Sequence, residues 1–111
     1  MRHARIILTA LLVVALVVLS ATAALAATKS VGVKKSGTKY SFTPATLRIK
    51  KGDTVKWSWS GSTPHNVKGA GFTSKTATKV TFSHKFKSAG RFKVVCTLHQ
   101  ALGQRMTVVV S

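Results

Sequence analysis

The stretch that decides the fold is GRFKVVCTLHQALGQRMTVVV, residues 90–110. Phe92, Val94 and Cys96 fall on every second position, and so do Met106, Val108 and Val110. Period-two alternation places each set on one face of a β-strand. Cys96 therefore ends one strand, the next begins near Arg105, and a tight loop joins them. That loop carries a thiol and an imidazole, Cys96 and His99, three residues apart. With two residues between them, both side chains can converge on one point within a turn.

Upstream the same alternation recurs in short runs bounded by Gly, Pro, Ser, Thr or Asn. Val31 and Val33 alternate before the turn at Ser36-Gly37, and Tyr40 and Phe42 alternate up to Pro44. Leu47 and Ile49 lead to a turn at Lys51-Gly52-Asp53. Val55, Trp57 and Trp59 share one face, as do Val80, Phe82 and Phe86 before the turn Ser88-Ala89-Gly90. Gly61 to Thr78 reads as a loop with one short strand near Val67. No segment after residue 27 sustains a 3.6-residue apolar period, so the expectation is an all-β chain of seven or eight strands, a small sandwich or barrel. Tyr40, Phe42, Trp57, Trp59, Phe82, Phe86 and Phe92 are assigned to the core, and His84, among lysines, to the surface.

The N-terminus reads differently. Arg2 and Arg5 precede an apolar run from Ile6 to Leu19, and Ala24-Leu25-Ala26 supplies small residues for cleavage. This is the pattern of a secretory signal helix over residues 1–26, ahead of one domain at 27–111. Residues 6–27 could alternatively remain as a membrane anchor. The expected location is exported: periplasmic, cell-surface or secreted.

Composition closes many functional classes. The chain has 111 residues, 18 Lys and Arg, a single acid (Asp53), one Cys and four His, for a net charge of +17. One cysteine excludes an internal disulfide, a Cys-x-x-Cys pair and the Cys₄ or Cys₂His₂ zinc sites. One carboxylate excludes a glycosidase dyad and calcium or magnesium cages. Without residues 1–26 the chain keeps 85 residues and, losing Arg2 and Arg5, a charge of +15. A domain of that size is marginal without a staple, and a bound metal would provide one. The charge suits an acidic redox protein or an anionic envelope surface. Nucleic acid is not expected outside the cell.

His65, in Pro64-His65-Asn66-Val67, would add a second nitrogen to Cys96 and His99. Two imidazoles and one thiolate form the equatorial set of a blue-copper site. Zinc would also accept them, with water in fourth place.

At this point the chain from Phe42 to Val110 resembles a cupredoxin of the plastocyanin/amicyanin type. The resemblance rests on Phe42 to Trp57 (FTPATLRIKKGDTVKW), on Pro64-His65-Asn66-Val67, and on Gly90 to His99 (GRFKVVCTLH). It implies a Greek-key copper-binding sandwich that transfers single electrons, with His65, Cys96 and His99 as ligands. The axial ligand, usually Met in this family, departs from the pattern. Plastocyanin-type spacing points to Gln104, amicyanin-type spacing to Leu102, which cannot coordinate; Met106 is the alternative. The resemblance further implies that Asn66 ties the His65 loop to the cysteine loop. It also makes Leu98, His99, Ala101 and Leu102 the docking and electron-exit rim.

The resulting expectation is a monomeric, non-enzymatic type 1 copper protein shuttling electrons between redox partners, acidic ones by charge. The alternative is a copper-sequestering or delivery module, or a polyanion-binding envelope module, on the same fold. A substrate cleft has no room in a chain of this size with one mononuclear site.

Overall fold

A computed structural model describes residues 25–111. The expected leader helix over 1–26 lies outside them, save for its last two residues. Nine strands follow: β1 (Thr28–Ser36), β2 (Lys39–Thr43), β3 (Thr46–Ile49), β4 (Thr54–Trp59), β5 (Lys68–Gly69), β6 (Phe72–Thr73), β7 (Val80–Lys85), β8 (Gly90–Val95) and β9 (Arg105–Val110). They form two sheets, ordered β2-β1-β4-β7 and β3-β9-β8-β5-β6. The count exceeds the expected seven or eight because of the 61–78 segment. There, Lys68–Gly69 and Phe72–Thr73 make a two-residue-long hairpin instead of one strand near Val67.

Alternation fixes the register. In β4, Val55, Trp57 and Trp59 are buried while Lys56 and Ser58 are exposed. In β9, Met106, Val108 and Val110 are buried, meeting Val94 of β8 and Ile49 of β3. A one-residue slip would turn each of these sets outward, so burial itself specifies the pairing. The β1–β2 connection turns on Gly37, whose φ of 60° suits a two-residue hairpin turn.

The core centres on Trp57, which is fully buried. Its ring lies within 6.5 Å, centroid to centroid, of Phe72, Phe82 and Phe86, and Phe86 meets Phe92 at 5.4 Å. Aromatic pairs of this kind each add about 0.5–1.5 kcal/mol beyond area burial. His84 belongs to this cluster and corrects the surface assignment: it is half-buried, stacked on Phe72 at 4.1 Å and edge-on to Phe86. Burial, with the Lys87 charge adding to it, holds the His84 pKa below its usual 6.5. Asp53 closes the opposite end from the 96–104 loop. Its carboxylate accepts the backbone N–H groups of Ala27 (2.8 Å) and Lys50 (3.0 Å).

Candidate metal centre

His65 lies beyond the end of β4, on a segment pinned at both sides. Its backbone exchanges two hydrogen bonds with Ala77, at 3.0 and 3.2 Å, and Trp59 Nε1 donates to the same Ala77 carbonyl at 2.7 Å. Cys96 follows β8 directly, its N–H bonded to the Gln104 carbonyl. His99 N–H returns to the Cys96 carbonyl, and Gln104 N–H to that of His99. A 3₁₀ turn at Gln100–Leu102 and a left-handed Gly103 (φ 95°) complete the reversal. The loop is thus closed by its own backbone, which aims the side chains at 96, 99 and 104 inward.

Asn66 hydrogen-bonds across the two loops. Its Oδ1 accepts the Thr97 N–H at 2.8 Å, and its Nδ2 donates to Thr97 Oγ1 (2.7 Å) and Thr76 Oγ1 (3.1 Å). Such a clamp fixes donor separation without touching the site.

The donor atoms of His65, Cys96 and His99 all lie within 4.8 Å of one another. Cys96 Sγ is 3.5 Å from His99 Nδ1. Gln104 completes the group: its Oε1 is 2.9 Å from His65 Nδ1 and 3.1 Å from His99 Nδ1. The orientation of this amide is dictated from behind. Its Nε2 donates to the carbonyls of Lys34 (3.1 Å) and Ser41 (3.2 Å) on the β1–β2 hairpin, so only the oxygen is free to face the imidazoles. Cys96 and Gln104 are fully buried, His65 nearly so, and His99 only partly. Burial lowers the His65 pKa, and the His99 charge adds to it against the Gln104 hydrogen bond. The neutral imidazole this favours is the form that binds a metal.

Met106, the alternative axial residue, is elsewhere. It sits in the core with its sulfur 3.3 Å from Trp57 Nε1, which donates to it. Leu98 (50% exposed), Leu102 (59%) and Ala101 are exposed on the same loop as His99.

One neighbour escaped the sequence reading. Tyr40, assigned to the core, is half-buried and stacks on His99, with ring centroids 4.1 Å apart and planes 19° off parallel. Lys35 Nζ covers the phenol ring at 5.8 Å from its centroid. Lys35 and Tyr40 are cross-strand partners near the hairpin tip, where β2 overhangs the site. Alternation with Phe42 marks Tyr40 as inward but cannot show that inward there means over a histidine.

Soft sulfur, two imidazoles and one amide oxygen form a donor set that serves both Cu(I) and Cu(II). Comparison with known proteins agrees with that chemistry. Residues 28–111 match the family of copper binding proteins described as plastocyanin/azurin. A plastocyanin of Scenedesmus fuscus is 30% identical over 83 residues, covering 62% of this chain and 85% of its own. The crystal structure of pseudoazurin from Methylobacterium extorquens AM1 superimposes with a TM-score of 0.63 at 26% identity, over 76% of this chain and 75% of that one. A methionine-to-glutamine mutant of amicyanin, in its Cu(I) form, does so with 0.63 at 29% identity, over 76% and 82%. Fold and site together define a cupredoxin. The chain belongs to the plastocyanin/azurin family, a copper protein of the electron-carrier type.

Proposed function

We propose that His65 Nδ1, Cys96 Sγ and His99 Nδ1 would hold one copper ion, with Gln104 Oε1 as a fourth, weaker donor. The chain would then carry single electrons between redox proteins outside the cytoplasm. The observation that carries this reading is the Gln104 amide, anchored to two hairpin carbonyls and turned oxygen-first toward both imidazoles. When bound, the copper supplies a one-electron couple. The residues supply its frame: Asn66 holds the two loops at fixed separation, and the closed backbone of 96–104 resists change of shape. Tyr40 immobilises the His99 ring. His99, partly exposed within the Leu98, Ala101 and Leu102 rim, offers the shortest route to a partner's surface. The +15 charge beyond the leader favours acidic partners, with association weakening as salt rises. Export follows from the leader pattern at residues 1–26.

The test is optical and electrochemical. The chain loaded with Cu(II) should show intense sulfur-to-copper charge transfer and a reversible couple, and Cys96→Ser should abolish the colour. A colourless protein that prefers zinc would overturn the carrier reading in favour of metal storage.

A further inference from the structure

The cations of this chain are not distributed alike. Beyond the leader there are three arginines, Arg48, Arg91 and Arg105, against thirteen lysines. Strand pairing puts all three on the outer face of the β3-β9-β8-β5 sheet. Directly opposed residues share a face, which gives three rows: Arg48–Val109–Arg91, Thr46–Thr107–Lys93, and Arg105–Val95–Lys68. Arg48, Arg91, Lys93, Arg105 and Lys68 are exposed, and Val95 and Val109 half-buried between them. Strand spacing sets Arg48 and Arg91 about 10 Å apart across β9, and the rows about 7 Å from one another. The outer face of the other sheet carries rows of a different composition, Thr43–Gly32–Ser58–Thr81 and Ser30–Lys56–Ser83, with Lys85 opposite Thr54. It holds serine, threonine and lysine, but no arginine and no valine.

Neither face contains an acidic side chain, since Asp53, the one in the chain, is bound to backbone N–H groups. At its Arg105–Val95–Lys68 row the arginine face approaches the loop that carries His99. A shallow groove lined by Lys93, Val95, Arg105 and Thr107 continues to Gln100, next to His99.

We infer that this face is the docking surface for an acidic protein, and that it orients the partner alongside the His99 rim. This rests on the carrier reading above. Guanidinium forks pair carboxylates two bonds at a time, which fixes orientation as an ammonium cannot. Protein interfaces are enriched in arginine and depleted in lysine, with apolar area at their core. Arg48, Arg91 and Val109 combine those features in one row. A bilayer is a poorer occupant, because the face presents no large apolar side chain to insert. A phosphate polymer would be served equally by the lysines on every side.

The experiment uses the copper-loaded chain in its Cu(I) form, ¹⁵N-labelled, titrated with a glutamate-rich peptide standing for an acidic protein surface. Amide shifts should map to the three arginine-face rows and spare Gly32, Ser58 and Thr81. The double variant Arg48→Gln with Arg91→Gln should weaken binding about tenfold. Lys56→Gln with Lys85→Gln removes the same charge from the opposite sheet and should change it by less than about twofold. Equal weakening by both pairs, or shifts centred on Lys56 and Lys85, would overturn the assignment. So would binding of the arginine face to phosphatidylglycerol vesicles but not to the peptide. Absence of a blue, reversible couple would sink the carrier reading alone, since the peptide map is read independently of it.

Discussion

Replacing Gln104 with methionine separates the two jobs given to that residue. The side chains have similar volume, so packing changes little. The thioether cannot donate, however, and the hydrogen bonds to Lys34 O (3.1 Å) and Ser41 O (3.2 Å) disappear. Each such bond contributes about 1 kcal/mol net, and an orphaned buried carbonyl costs about 1–3 kcal/mol. Both carbonyls are only part-buried, so water recovers some of that loss. The expected destabilisation is about 2 kcal/mol, which for a domain of this size lowers the melting temperature by roughly 8–16 °C. At the metal the change runs the other way. A thioether is softer than an amide oxygen and favours Cu(I), so the reduction potential rises, by about 59 mV for each tenfold gain in relative Cu(I) preference. Calorimetry of the metal-free chain and voltammetry of the loaded one read the two effects separately. Met106→Leu, altering a core sulfur bonded to Trp57, should leave the potential nearly unchanged. An unchanged Gln104→Met potential beside the expected loss of stability would refute axial coordination by Oε1. An unchanged stability would refute the anchoring argument.

Three further outcomes follow from other contacts. Asn66→Ala removes three hydrogen bonds, two of them to the cysteine loop, and should cost about 2–3 kcal/mol in thermal unfolding, with faster copper loss to a chelator. Tyr40→Leu should lose about 1 kcal/mol of stacking and also speed copper loss, while Tyr40→Phe should behave as the parent. His84 titrates below its usual 6.5 when folded. Above that value both folded and unfolded chains are neutral there; as pH falls through it, the unfolded chain takes a proton that the folded one resists. Stability of the loaded protein should therefore decline below about pH 6.5 until the folded pKa is reached, and His84→Phe should flatten that slope in pH-dependent melts.

The strands and the three close donors were readable because both signals are local or periodic. Cys96 and His99 announce a site by their spacing, and Val55-Trp57-Trp59 a strand by period two. The family resemblance pointed to Gln104 through plastocyanin-type spacing from His99, but the reason its oxygen faces inward was not legible. That reason is a pair of backbone carbonyls some sixty to seventy residues away, which no side-chain pattern encodes. The reading of His84 as surface gives weight to Lys85 and Lys87. The register Val80-Phe82-His84 is the stronger signal, since it aligns with the inward face. The β5–β6 hairpin escaped because two-residue strands are too short to show a period.

The aromatic cluster lies toward the Asp53 end of the space between the two sheets, while the four converging donors lie at the other. Cohesion and chemistry are thus housed at opposite poles. A chain built this way can have its 96–104 segment lengthened, shortened or exchanged while the ring stack below keeps the sheets together. The scaffold should accordingly accept grafted loops, and so serve as a chassis on which new coordination environments are installed.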